Sequence, residues 1–163
     1  MTENIGLAKE GKYLTFNLGK EEFGIEILKV IEIIGLMKIT TVPRTPEFVR
    51  GIINLRGTIH PVINLRLKFG MESIEDTEET CIIVVEIEKG EEIEQIGVVV
   101  DAVKEVLDVP GNCIEPAPEL GQNVNTKFIM GMAKIKNEVK ILLNVQKIFA
   151  ETDLSQLTSV SES

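Results

Sequence analysis

Hydrophobic and polar residues alternate in short runs along most of this chain. The first run, residues 13–18, places Leu14, Phe16 and Leu18 on one face, which is the period-two pattern of a half-buried strand. Residues 28–34 fit either a helical face or a strand, and we interpret them as a turn followed by a strand. Similar runs predict strands at 23–27, 52–55, 59–65, 81–87, 96–100, 103–109, 128–135 and 139–145, with the run at 103–109 continuing the one before it.

Three short helical turns are predicted between these strands. Thr45 followed by Pro46 suits the cap and the first position of a turn over residues 46–50. A second turn at 65–69 ends at a glycine, and a third is predicted at 146–149. The chain is therefore expected to be mostly β, with few helical residues.

The clearest hairpin lies within residues 48–70. Apolar runs at 52–55 and 59–65 flank a turn that contains Arg56 and Gly57. This geometry exposes the arginine, and the glycine lets another backbone approach it closely. Taken alone, the hairpin is also what core-forming β structure with a solvated turn looks like.

The two halves of the chain align weakly on each other. With an offset of 73 residues, Gly24 aligns with Gly97 and Glu32 with Glu105. With an offset of 80 residues, the matched pairs are Phe48–Phe128, Gly51–Gly131, Arg56–Lys136, Gly57–Asn137, Asn64–Asn144 and Phe69–Phe149. A sheet of about five short strands would leave two open edges, and closure removes them. We therefore predict two small five-stranded antiparallel β-barrels packed side by side.

The acidic stretch 71–80 is the predicted boundary between the two halves. It holds five carboxylates and has no apolar periodicity. We expect a loose lead-in over 1–12, a first barrel over 13–70, a linker over 71–80 and a second barrel over 81–150. The remaining residues, 151–163, form a polar tail with the pattern of one short amphipathic helix.

Composition disfavours several classes of partner and cofactor. Of the 163 residues 44% are apolar, which is enough to form an aliphatic core. The net charge of −9 disfavours binding to nucleic acid and to anionic lipid. No apolar stretch is long enough to span a bilayer, and the N-terminus does not resemble a secretory signal. Cys81 and Cys113 predict buried thiols in a reducing compartment, and one histidine without a Cys/His cluster predicts no metal or cofactor.

Signals for catalysis are weak in this sequence. His60 precedes a proline within a strand, and no nucleophile pattern accompanies it. Asp101, just past an apolar strand, is the one carboxylate that merits inspection as a catalytic group. A non-enzymatic binding module is therefore the leading hypothesis. A small-ligand-binding β-barrel and an enzyme with a site near Asp101 remain the alternatives.

Residues 23–33 and 46–65 resemble the CheW family, the coupling proteins of bacterial chemotaxis. The centre of the resemblance is Asn54-Leu55-Arg56-Gly57, and residues 97–101 and 116–118 resemble the second half of the family. The resemblance covers residues 13–150 and implies two five-stranded barrels without enzymatic activity. The sequence departs from the family pattern at His60, where an apolar residue is usual, and at Asn64, where aspartate is common.

The resemblance also implies partners and partner-binding residues. Family members bridge the cytoplasmic tips of chemoreceptors to the regulatory domain of the histidine kinase CheA. By this resemblance the protein is expected to be cytoplasmic and recruited to receptor arrays, while the composition already predicts neither membrane insertion nor nucleic-acid binding. The residues that match the functional positions of the family are Arg56, Glu32, Val30, Gly51, Gly57, Gly97 and Val98.

Overall fold

A computed structural model describes residues 10–117 and 128–149 of the chain. Within them lie eleven strands, two short α-helices and two 3₁₀ turns, at Ile27–Lys29 and Gly111–Cys113. The predicted mostly β fold is therefore confirmed. The strands are β1 (Gly11–Leu18), β2 (Glu21–Glu26), β3 (Val30–Gly35), β4 (Val49–Leu55), β5 (Thr58–Asn64), β6 (Cys81–Lys89), β7 (Glu92–Val100), β8 (Ala102–Val109), β9 (Ile114–Glu115), β10 (Ile129–Ile135) and β11 (Glu138–Leu143), and the helices are α1 (Leu65–Lys68) and α2 (Val145–Phe149).

The strands form two sheets that follow the same order. One sheet has five strands in the order β3-β6-β7-β5-β4, and the other has six in the order β8-β1-β2-β11-β10-β9. We call them the five-stranded and the six-stranded sheet. Each contains one parallel pair, β5 with β7 and β11 with β2, and its other pairs are antiparallel. The two sheets thus have equivalent strand orders, with β9 added at one edge of the six-stranded sheet.

The first hairpin of each half has crossed into the sheet of the other half. Strands β1 and β2 belong to the six-stranded sheet, and β6 and β7 belong to the five-stranded sheet. Segments 13–70 and 81–150 therefore do not each form a sheet of their own, although residues 71–80 contain no strand. The crossing joins the two halves through strand pairing as well as through side-chain packing.

Irregularities of the strands recur at matching positions of the repeat. The β4–β5 pair shifts register between Val49 and Gly51, and the β10–β11 pair shifts between Ile129 and Gly131. Asn64 accepts a hydrogen bond from the Leu67 amide at 3.2 Å and caps α1. Asn144, its counterpart, accepts one from the Lys147 amide at 3.1 Å. The strand irregularities and helix caps thus match between the two copies of the repeat, as the apolar positions do.

Three sequence-based expectations about local structure differ from the observed fold. Residues 103–109 do not continue β7, because the chain changes sheet at Asp101 and β8 pairs with β1. Residues 46–50 form a turn rather than a helix, and β4 has already begun at Val49. Part of the loop predicted after residue 112 is a strand, β9, which pairs with β10. The expectations for residues 1–9 and 150–163 lie outside the described residues.

The main core lies between the two sheets and contains side chains from both. Phe16 and Ile25 from one sheet and Ile83 and Val98 from the other are fully buried members of this cluster. A smaller apolar cluster lines the opposite face of each sheet, because β6 and its neighbours are apolar on both faces. Residues Ile82 to Val85 are all fully buried, which confirms the expectation that this strand is central.

Residues 10–117 and 128–149 contain neither a helix suited to span a membrane nor a cluster of metal-ligating side chains. None of the helices there is long and apolar enough to cross a membrane. No group of three or more His, Cys, Asp or Glu side chains in those ranges is arranged to hold a metal ion.

Candidate functional site

The turn between β4 and β5 presents Arg56 at the surface. Arg56 and Gly57 have φ values of 54° and 86°, so both central residues of this two-residue turn are left-handed. The Asn54 side chain accepts a hydrogen bond from the Gly57 amide at 2.9 Å, which fixes the turn. Lys136 and Asn137 repeat this geometry between β10 and β11, with φ values of 52° and 66°.

Arg56 forms a two-point ion pair with Glu32 on β3. Its Nη1 and Nη2 donate to Glu32 Oε1 and Oε2, both at 2.6 Å. The arginine side chain is 71% exposed and the glutamate 23% exposed. Hydrogen bonds from Arg56 hold the pKa of Glu32 below its usual range, so the carboxylate is charged at neutral pH. The ion pair leaves much of the guanidinium open to a partner.

Apolar side chains are exposed on either side of Glu32 along the chain. Ile31 and Ile33 are 43% and 45% exposed, and Leu28 in the preceding 3₁₀ turn is 87% exposed. We call Leu28, Ile31 and Ile33 the β3 patch. Strand β3 is at an edge of its sheet and, within the described residues, pairs along its length only with β6. Exposed apolar residues grouped on an edge strand are typical of a protein-binding surface.

The other proposed site residues divide into accessible and buried ones. Val30 is half-buried at the start of β3, and Gly57 is exposed at the turn. Val98 is fully buried in the main core. Gly51 and Gly97 are also buried, and neither position has room for a side chain. A Cβ added at Gly51 would lie 2.8 Å from the carbonyl carbon of Thr40, and a Cβ added at Gly97 would lie 2.8 Å from Ile82 Cγ2. These three residues support the strands that carry the site and do not reach its surface.

Asp101 lies at the junction between β7 and β8, where three hydrogen bonds hold its carboxylate. Arg66 donates to its two carboxylate oxygens at 2.8 and 2.6 Å, and the Gly19 amide donates at 2.7 Å. Burial acts to raise the pKa of Asp101, but these hydrogen bonds outweigh it and the pKa lies below its usual value. A carboxylate held charged by three donors is a poor proton acceptor, so this geometry argues for a structural role.

His60 lines an open groove beside the same turn. The groove has a volume of about 650 Å³ and lies between the first residues of β5 and the first residues of β7. A second open groove of about 470 Å³ lies where the 71–80 segment passes α1. Both grooves open to solvent, unlike the enclosed pocket that would have favoured a small-ligand-binding barrel.

Sequence reasoning did not identify the β3 patch or the groove at His60. The alternation in residues 30–34 predicted a strand, but no sequence signal shows that this strand is at an edge. The groove depends on where β5 and β7 separate, which is a property of their pairing. Pro61 was the available signal, since proline interrupts backbone pairing within a sheet.

Comparisons with known proteins place the chain in one family. The family model described as the CheW-like domain matches residues 12–153. The chemotaxis protein CheW of Klebsiella aerogenes is 36% identical over 152 residues, covering 93% of this chain and 89% of that protein. The CheW of Helicobacter pylori is 34% identical over 139 residues, covering 84% and 80%.

A solved structure supports the same assignment. The crystal structure of the scaffolding protein TtCheW from Thermoanaerobacter tengcongensis superposes with a TM-score of 0.78 at 37% identity, covering 88% of this chain and 95% of that one. The match includes the two-sheet architecture as well as the sequence. The chain therefore belongs to the CheW family.

Proposed function

We propose that this protein is a non-enzymatic adaptor that couples the cytoplasmic tips of chemoreceptors to the histidine kinase CheA in chemotaxis signalling. The observation that carries this proposal is the combination of the exposed Arg56–Glu32 pair with the β3 patch. The exposed ion pair can orient a bound protein, and the exposed aliphatic side chains of the β3 patch can supply buried area to a contact. The proposal places the protein in the cytoplasm, at membrane-associated receptor arrays.

In this proposal a partner contacts the accessible residues Arg56, Glu32, Val30 and Gly57. Gly51, Gly97 and Val98 act indirectly, because they hold β4 and β7 in place. The receptor tip is a helical hairpin and the kinase regulatory domain has the same fold as this chain, so both contacts are between preformed surfaces. A standard contact buries about 800 Å² per partner, and multivalency in an array strengthens a micromolar contact.

We also infer that each sheet closes into a barrel. In the five-stranded sheet β3 and β4 are at opposite edges, yet Arg56 next to β4 contacts Glu32 on β3. Thr40, beyond the end of β3, exchanges two backbone hydrogen bonds of 2.9 Å with Ile52 on β4. Both contacts bring the β3 edge toward the β4 edge. In the six-stranded sheet, β9 contacts β10 at the corresponding place.

Binding to separate partners tests the proposal. The regulatory domain of CheA and a receptor cytoplasmic fragment are each titrated with the wild-type protein and with Arg56→Ala. The variant should weaken binding to at least one partner by about tenfold or more. Its melting temperature should change by no more than about 3 °C, because an exposed ion pair stabilises little.

Lys136→Ala is the matched control for this experiment. Lys136 occupies the same turn position in the other copy of the repeat. It should bind both partners within about twofold of wild type if the site is specific to the β4–β5 turn. Binding of neither partner by the folded wild-type protein would contradict the proposed function.

A further inference from the structure

The groove at His60 lies where the parallel strands β5 and β7 do not pair. Strands β5 and β7 pair at Val62 with Gly97 and at the two following positions. Before Val62 the strands separate and leave the open groove of about 650 Å³, which we call the notch. Pro61 lies at the point of separation and has no amide hydrogen for a backbone hydrogen bond.

The six-stranded sheet shows the same place filled. Strands β11 and β2 pair from Lys140 with Glu22 onward, so Ile141, the counterpart of Pro61, continues the pairing. The Lys140 side chain is only 5% exposed there. Its Nζ donates to Glu22 Oε2 at 2.6 Å and to Glu138 Oε1 at 2.7 Å. A lysine and two carboxylates thus close this end of the six-stranded sheet.

None of these three charged groups has a Lys, Arg, Asp or Glu as its counterpart in the notch. With the offsets of the repeat, His60 corresponds to Lys140, Gln95 to Glu22 and Thr58 to Glu138. The strand register supports this alignment, since His60 pairs with Ile53 and Lys140 pairs with Ala133, its counterpart. The notch therefore lacks the lysine that fills the corresponding place in the other sheet.

A buried acceptor without a donor lines the notch. Glu94 Oε1 is buried and has no hydrogen-bond partner among the described residues. Lys89 Nζ forms an ion pair with the other oxygen at 3.8 Å, a separation too long for a hydrogen bond, and Oε1 receives no donor. The exposed Glu92 adds a second negative charge, while the charge of Arg56, which also lines the notch, is balanced by its ion pair with Glu32. A buried acceptor of this kind favours a ligand that brings a donor.

We propose that the notch takes up a lysine or arginine side chain from a binding partner. Its cationic head would donate to Glu94, and its aliphatic stem would pack on Ile59 and on Ile93, which is 63% exposed. The occupant is argued from Lys140, which fills the corresponding place, and from the charge of the notch. This inference refines the proposed adaptor function by naming the chemistry of one partner contact.

A small probe tests the notch without any partner protein. The wild-type protein is titrated with N-acetyl-lysine methylamide and, as an uncharged control, with N-acetyl-norleucine methylamide, while backbone amide shifts are recorded by NMR. The lysine probe should give saturable shifts at Ile59, Ile93 and Gln95, with an affinity in the millimolar range. Equal shifts with the norleucine probe, or shifts produced by Ca²⁺ and not by the lysine probe, would overturn the proposal.

Two variants and one control locate the contact. Glu94→Gln should weaken lysine-probe binding by about tenfold or more, because it removes the charge that the cation meets. Glu21→Gln, the counterpart change in the other sheet, should leave it within about twofold. The double change His60→Lys and Gln95→Glu rebuilds the Lys140–Glu22 pair inside the notch. It should abolish probe binding without lowering the melting temperature.

The same variants separate this inference from the proposed function. If Arg56→Ala weakens binding of the kinase domain or the receptor fragment while Glu94→Gln changes neither partner nor probe, the notch inference fails and the adaptor function stands. If neither partner binds the wild-type protein but the lysine probe binds through Glu94, the notch stands and the adaptor function fails.

Discussion

Arg56 combines a backbone conformation and a side-chain contact that depend on each other. Its left-handed φ of 54° turns the chain at the end of β4, and its guanidinium returns to Glu32 on β3. The pair leaves most of the arginine side chain in solvent. An ion pair of this exposure contributes little to folding, so its charge and position are free to serve recognition.

Exchanging the two charges tests whether the arginine itself contacts the partner. In the double variant Arg56→Glu with Glu32→Arg, an ion pair can still form, and the melting temperature should stay within about 3 °C of wild type. Binding of the partner that Arg56→Ala weakens should not return, because the exposed positive charge at the turn is gone. Full recovery of binding would show that the pair only shapes the turn.

Arg66 and Asp101 form the ion pair that is most important for stability at the β7–β8 junction. Their side chains are 13% and 19% exposed, and Arg66 donates two of the three hydrogen bonds to Asp101. Arg66→Ala should lower the free energy of unfolding by about 1–2 kcal/mol at pH 7. Lys12→Ala, which removes an exposed pair with Asp108, should have little effect.

This destabilisation should shrink in acid. The folded protein holds the pKa of Asp101 below its usual value, so the unfolded chain binds that proton first as the pH falls below about 4. The stability contributed by Asp101 is present above this range and is lost as the pH falls through the lower, folded pKa. Urea unfolding from pH 7 to pH 3 should therefore bring wild type and Arg66→Ala closer together. A difference that stays constant would contradict this account.

Strand β4 depends on a glycine at its bulge. Gly51 has φ 149°, and an added Cβ would overlap the Thr40 carbonyl group. Gly51→Ala should therefore lower the free energy of unfolding by more than about 2 kcal/mol. Gly57→Ala, with φ 86° but nothing within 4 Å of the added Cβ, should cost about 1 kcal/mol, from backbone strain alone. Equal losses, measured by urea unfolding, would contradict the structural role assigned to Gly51.

Apolar patterns predicted most strands but not how they pair. Alternation located β1 and β2, and the continuous apolar run at 82–85 correctly indicated a central strand. The exchange of hairpins between the halves was not predictable, because strands that are apolar on both faces can pair in either sheet. The break at Asp101 was missed for a related reason: its partners Arg66 and Gly19 are distant in the chain.

For the candidate site, the sequence predicted a set of residues but not which of them are exposed. Arg56 and Glu32 were identified through resemblance to the family, and their pairing follows from the fold. Exposure was not predictable: Val98 resembles a partner-binding residue but is fully buried, while Ile31 and Ile33 on the edge strand β3 are exposed. The notch arises from a difference between the two copies of the repeat at Pro61.

At the scale of the whole molecule, the hairpin exchange makes the two halves interdependent. Each sheet takes strands from both sides of the 71–80 segment, and the main core takes side chains from both sheets. Fragments 1–75 and 76–163 should each lack cooperative unfolding when produced alone, and should regain it when mixed. A cooperative transition in either isolated fragment, measured by circular dichroism, would contradict this interdependence.

The central claim is that the protein joins two partners without chemistry of its own. The most direct test is sedimentation of receptor cytoplasmic fragments assembled on vesicles, with the CheA regulatory domain in solution. The regulatory domain should pellet with the receptors only when the wild-type protein is added, and Arg56→Ala should reduce the pelleted fraction severalfold while Lys136→Ala does not. Pelleting that is unchanged by the wild-type protein would contradict the account.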